Sequence, residues 1–142
     1  MESFIDHRDA GPLVLSHIYL LLGCAIPMWI SPVPFASFFA PFSGIVTIGI
    51  GDTMASIVGI YLGRIKWPQT SKTVEGTLAG ILSCVVFSFI LSAWCPAHLA
   101  LTGWQLVMYF FALALAGLME AHTQQIDNLT VPLYLFSSVL ML

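Results

Sequence analysis

Charge is what this sequence is short of. Of 142 residues, four are Lys or Arg and seven are Asp or Glu, 8% in all, against 58% hydrophobic. A soluble domain carries about 25% charged residues, and so few charges do not make a polar exterior. That excludes an ordinary soluble globular protein. The mean hydropathy of +0.94 and an aromatic share of 13% fit an integral membrane protein. Basic tracts are missing, which argues against nucleic acid as a partner. Cysteine is sparse: Cys24, Cys84 and Cys95 are scattered without metal or redox spacing. Cys24 and Cys84 lie in apolar runs, where a thiol behaves as a small hydrophobe, so no disulfide is expected. The four histidines lack metal-ligand spacing, and no Ser-His-Asp set can be assembled. A secretory leader is not seen either. "MESFIDHRDAG" is polar and acidic, without a basic n-region, so the first apolar run reads as a membrane helix.

The expected fold is an all-α integral membrane protein with four to five transmembrane helices in a single membrane domain over residues 1–142. A spanning helix needs about 20 apolar residues. Pro12–Ile30 is the first candidate, followed by a "SPVP" turn. Phe35–Leu62 is too long for one straight span: its residues would make about 42 Å of helix against a hydrocarbon core of about 30 Å. Gly44, Gly49 and Gly51 predict a tilt or a break, placed near Gly49–Asp52. Leu78–Trp94 and Leu101–Met119 are the third and fourth spans. Leu129–Leu142, short and carrying Pro132, is a shallow or incomplete fifth.

Threading these spans puts residues 1–11, 63–76 and 120–128 on one side. Every Lys and Arg (Arg8, Arg64, Lys66, Lys72) falls there, which makes that side cytoplasmic by the positive-inside rule. Trp29, Trp94 and Trp104 gather at the opposite interface as an aromatic belt. The sequon Asn128-Leu129-Thr130 would then face the cytoplasm and stay unmodified.

The charge that does exist is concentrated in "GIGDTMASIVGIYLGRIKWPQTSKTVEGT", residues 49–77. Asp52 sits inside an apolar run, and an intramembrane carboxylate is costly unless it faces protein or a wet cavity. Asp52, Ser56, Gly59 and Gly63 share one helix face. A packing seam between membrane helices explains the small residues there but not the carboxylate. The next loop combines Arg64, Lys66 and Lys72 with the hydroxyls of Thr70, Ser71, Thr73 and Thr77, the carboxylate of Glu75, and Gly76. Cations and hydroxyls suit phosphate oxygens, though Arg64 and Lys66 alone would fit an ordinary positive-inside loop. Glu75-Gly76-Thr77 opens the third span, where free helical N–H groups favour an anion. The pattern is not a P-loop, for no G-x-x-x-x-G-K-[ST] occurs. Glu120, Gln124 and Asp127 recur at helical spacing and add acid on the same side. Carboxylates beside a phosphate loop suggest Mg²⁺ or another divalent cation; a solvated interfacial face is an equal account of Asp127 and a weaker one of Glu120, which abuts the span.

"GDTMASIVG", "GRIKWPQTSKTVEGT", "DHRDAGPLVLSHIYLLLG" and "EAHTQQIDNLTVPLY", four separated motifs that keep the family's order along the chain, resemble the carboxy-terminal region of the dolichol kinase family. The first two are shared more widely with polyprenol and phytol kinases, and more loosely with CDP-diacylglycerol synthases. The resemblance implies a multi-pass enzyme of the endoplasmic reticulum membrane that transfers the γ-phosphoryl of CTP to dolichol, giving dolichyl phosphate for protein glycosylation. It places CTP on the cytoplasmic segment 59–76, with Gly59, Gly63, Arg64, Lys66, Thr70, Ser71, Lys72, Thr73, Gly76 and Thr77 as candidate binding residues. Asp52, Lys72 and Glu75 are the catalytic candidates, and Asp52, Glu75 and Asp127 the metal-ligand candidates. Family members carry many more helices ahead of this region, so the chain reads as the carboxy-terminal part of a longer kinase. A cytidylyltransferase acting on a phospholipid, and a non-catalytic membrane protein, are the competing expectations.

Overall fold

The computed structural model describes residues 15–31, 37–68, 70–95, 101–123 and 127–142. The polar segment 1–11 and Gln124 lie outside them. The described residues form helices and turns, with one isolated antiparallel bridge between Lys66 and Thr73. The helices are α1 (Leu15–Ile30), α2 (Thr53–Leu62), α3 (Val74–Ser92), α4 (Gly103–His122) and α5 (Asp127–Leu140). A 3₁₀ turn at Ala40–Phe42 leads into a π-helical segment, Ile45–Asp52, which runs directly into α2. Among the described residues three helices are long and apolar enough to cross a membrane: Ile45–Leu62, Val74–Ser92 and Gly103–His122. α1 and α5 are shorter apolar helices that pack on each other and on the bundle. The all-α membrane architecture expected from the sequence is therefore what the chain adopts.

The expected break at Gly49–Asp52 takes a different form. The chain does not unwind there; it widens into eight residues of π-helix. An unwound segment in hydrocarbon would leave backbone N–H and C=O groups without partners, and each costs several kcal/mol, about 2–7 by transfer measurements. The π-helix keeps those groups bonded within the segment while changing the direction in which its side chains point. Thr47 Oγ1 donates back to the Ser43 carbonyl at 2.8 Å, and the Cys84 thiol of α3 donates to the Val46 carbonyl at 3.1 Å. Asp52 ends the π turn and precedes the first residue of α2.

Apolar burial does not drive helices together in lipid, so close approach and hydrogen bonding must. α2 meets α3 along the small-residue face predicted for it: Gly59 and Gly63 lie against Thr73, and Gly76 lies against the Ala55 carbonyl. The seam thus accounts for the glycines, and it leaves Asp52 facing a cavity. Deeper in the bundle, Phe39, Val46, Cys84, Tyr109, Leu113, Leu135 and Val139 form the buried core. There the Ser88 and Tyr109 hydroxyls pair at 2.8 Å. Trp29, Trp94 and Trp104 are each more than 70% exposed. Trp94, after α3, and Trp104, in the first turn of α4, lie at the ends of those helices opposite loop 63–73.

Candidate functional site

The loop between α2 and α3 is a short, tightly bonded hairpin. Gly63 leaves the helix with extended backbone (φ −66°, ψ 122°). The Val74 amide then donates to the Ile65 carbonyl at 2.8 Å, and the Trp67 amide to the Lys72 carbonyl at 3.0 Å. The Thr70 amide reaches the Trp67 carbonyl at 3.3 Å and closes the tip. Thr73 is the N-cap of α3, its Oγ1 accepting from the Gly76 amide at 3.2 Å. Thr77 Oγ1 donates to the Thr73 carbonyl and accepts from Trp67 Nε1, both at 3.1 Å.

This hairpin, α2 and the first turn of α3 enclose an open cavity of about 330 Å³. That volume sits at the lower end of the range for small-molecule sites, about 300–1,000 Å³. Its walls include Asp52, Ser56 and Gly59 from α2 and the residue before it, Ser71, Lys72 and Thr73 from the hairpin, Gly76 and Thr77 from α3, and Glu120 from α4. Nine of the residues singled out from the sequence therefore converge on one space: Asp52, Ser56, Gly59, Ser71, Lys72, Thr73, Gly76, Thr77 and Glu120.

The inner end of the cavity is acidic, with one cation set into it. Lys72 Nζ donates to the Glu120 backbone carbonyl at 2.7 Å and to Asp127 Oδ2 at 3.1 Å, and lies 3.5 Å from Glu120 Oε1. Asp52, Glu120 and Asp127 together border a smaller adjoining space. Asp52, from an apolar run, and the two acids of segment 120–128 are thus brought together, with Lys72 as counter-ion to Glu120 and Asp127. Glu120 and Asp127 are only 16% and 18% exposed, so the pairing is shielded more than a surface ion pair would be.

Other predicted residues are placed elsewhere. Glu75 turns away from the acidic group: both of its carboxylate oxygens accept from the Ile65 amide at 3.2 Å, holding the start of the hairpin. Arg64 and Lys66 are exposed on the outer side of the loop and do not line the cavity. Gly63 belongs to the α2–α3 seam. The Thr70 hydroxyl is enclosed without a hydrogen-bond partner among the described residues. The α3 N-terminus is also less open to an anion than its sequence suggests. The Val74 and Gly76 amides already have the Ile65 carbonyl and the Thr73 hydroxyl as partners. Likewise the Thr77 proton is committed to the Thr73 carbonyl, whereas Thr73 only accepts in its cap.

Trp67 is the contributor that the sequence reading did not single out, and Glu120 was raised there only among the acids that suggest a divalent cation. Glu120 was visible as an acid abutting a span, but only the fold shows that it meets Lys72. Trp67 carried one signal, an aromatic in a polar loop on the side away from the other three tryptophans.

The chain as a whole is similar to known proteins. A family model described as "Cytidylyltransferase family" matches residues 3–138. Dolichol kinase EVAN of Arabidopsis thaliana is 44% identical over 96% of this chain and 24% of its own length. The dolichol kinase of Homo sapiens is 41% identical over 95% of this chain and 26% of its own length. That of Saccharomyces cerevisiae is 35% identical, again over 95% of this chain and 24% of its own length. The chain thus spans about a quarter of the length of the curated relatives it matches. No solved structure matches it. With nearly its whole length covered by the family model, this chain belongs to the cytidylyltransferase family.

Proposed function

We propose that the chain carries the phosphoryl-transfer site of a CTP-dependent dolichol kinase in the endoplasmic reticulum membrane, with the hairpin facing the cytoplasm. The observation that carries this reading is the placement of Lys72 and Asp52 on one cavity at the end of a membrane bundle. A nucleotide can enter such a cavity from water, and a lipid alcohol can reach it from the bilayer. The names of the relatives supply the acceptor, dolichol, and the cytidylyltransferase family model supports a cytidine nucleotide, CTP, as the donor.

Phosphoryl transfer is mostly positioning and charge neutralisation. Lys72 binds the CTP phosphates, and the Thr73 hydroxyl donates to a phosphate oxygen. Asp52 accepts the proton of the dolichol hydroxyl as that oxygen bonds to the γ-phosphorus. The bond from the γ-phosphorus to the bridging oxygen breaks, and CDP leaves. Glu75 takes a supporting part, because its carboxylate is engaged with the loop backbone. Arg64 and Lys66, on the exposed side, contribute long-range attraction for the nucleotide.

The donor set at the inner end fits a magnesium ion. Mg²⁺ takes one or two carboxylates together with phosphate oxygens and water. Among the described residues no three His, Cys, Asp or Glu groups form a ready-made metal cage. Asp52 and Asp127, bordering one small space with Glu120, would hold the ion along with the nucleotide. When bound it would supply charge neutralisation at the phosphates.

Position-specific label in CTP tests the reading. With the protein in dolichol-containing liposomes, γ-label should appear in lipid and α-label should not. Label from the α-position in lipid would indicate cytidylyl transfer, and label from neither would remove the enzymatic reading. A glycan on Asn128 would invert the proposed orientation.

A further inference from the structure

Trp67 lines no part of the cavity, yet it joins three of the elements that border it: the hairpin, α3 and α4. Its amide holds the Lys72 carbonyl at 3.0 Å across the hairpin. Its indole N–H donates to Thr77 Oγ1 at 3.1 Å, one turn into α3. Its ring lies against His122 in the last turn of α4, centroids 5.0 Å apart and planes at 55°. The His122 ring is itself tied to the Leu118 carbonyl through Nδ1 at 2.9 Å. Hairpin, α3 and α4 are the elements that present Lys72, Thr77 and Glu120 to the cavity. Loop 63–73 has no hydrophobic core of its own, so its position depends on such anchors.

We propose that Trp67 is a positioning residue for the nucleotide site: it fastens the hairpin to α3 and α4 and so sets where the Lys72 ammonium stands. This rests on the reading of the cavity as a CTP site. The side chain acts at two points that substitution can separate. Phe keeps a ring against His122 and loses the N–H donor; Ala loses both. One hydrogen bond of ordinary net strength corresponds to about a 3- to 10-fold change in an equilibrium constant.

The test measures labelled-CTP binding to the purified chain in liposomes, together with the KM for CTP and for dolichol. Trp67→Phe should weaken CTP affinity by about 3- to 10-fold, and Trp67→Ala should weaken it further. Dolichol KM should stay unchanged in both. Thr77→Val should lower affinity too, but adding Trp67→Phe to it should cause no further loss, because the bond between them is already gone. Thr77→Ser, which keeps the hydroxyl, should restore the sensitivity to Trp67→Phe. A purely structural role would reduce the folded fraction, read by far-UV circular dichroism, and leave the affinity of the remaining protein as it was. Unchanged CTP affinity in well-folded Trp67→Phe and Trp67→Ala would overturn the inference. So would independent, multiplicative effects of Trp67→Phe and Thr77→Val. Absence of CTP binding by the unsubstituted chain would instead overturn the functional reading beneath it.

Discussion

Replacing Gly76 by Ala should force α2 and α3 apart and weaken the site between them. A Cβ at Gly76 would stand 2.6 Å from the Ala55 carbonyl oxygen, 2.9 Å from Thr73 Oγ1 and 3.2 Å from the Gly59 Cα. Two of these atoms are backbone, so no side-chain rotation relieves the overlap. Bringing the shortest contact to an ordinary 3.4 Å needs a displacement of about 0.8 Å (3.4 − 2.6). Overpacking of that kind costs about 1–3 kcal/mol. Removing a helical glycine returns up to about 1 kcal/mol, less near a helix start. The net expectation is destabilisation by about 1–2 kcal/mol. Because Gly76 and Ala55 both line the cavity, the displacement also moves Asp52 relative to Lys72. The assay is thermal unfolding in detergent, with and without CTP. Gly103→Ala is the control, since nothing lies within 4 Å of its Cβ position. Gly76→Ala should melt several degrees lower and show a smaller CTP-induced shift, while Gly103→Ala should match the unsubstituted chain. A Gly76→Ala protein that melts at or above it, with the full CTP shift, would refute the packing argument.

Three further substitutions separate the parts of the site. Lys72→Met removes the ammonium shared by Glu120 and Asp127, leaving shielded carboxylates without a counter-ion; melting temperature and CTP binding should both fall, read by the same thermal assay. Glu75→Gln weakens the acceptor for the Ile65 amide and should lower CTP affinity in a binding assay while protein yield persists; activity loss with affinity intact would instead favour a direct catalytic part for Glu75. Tyr109→Phe removes the hydrogen bond to Ser88 deep in the bundle. It should cost about 1 kcal/mol in unfolding and leave CTP binding untouched, marking that pair as structural.

What the sequence disclosed divides along local and non-local lines. Asp52 was legible because a carboxylate in an apolar run has no cheap explanation, and the Gly59–Gly63 face because helical spacing brings those residues together. The hydrophobic runs marked the helices to within a few residues. The π-helix was not legible: "IVTIGIGD" is compatible with an α-helix, a π-helix or a kink, and α3's packing against it enters the choice only in three dimensions. Nor could spacing show that Glu75 bonds a backbone amide ten residues away, or that Lys72 meets acids 48 and 55 positions on. Placing both Lys72 and Glu75 in one phosphate-binding loop followed from their nearness in sequence. The hairpin sends them to different places.

The central claim is that the cavity bordered by Asp52 and Lys72 performs phosphoryl transfer from CTP to a lipid alcohol. Transfer of label from γ-labelled CTP to dolichol by an Asp52→Asn protein tests it most directly, because the substitution keeps size and removes the proton acceptor. The account predicts a loss of at least about 100-fold in turnover, in the range for removing a general base, at unchanged protein level. Turnover close to that of the unsubstituted chain would contradict it.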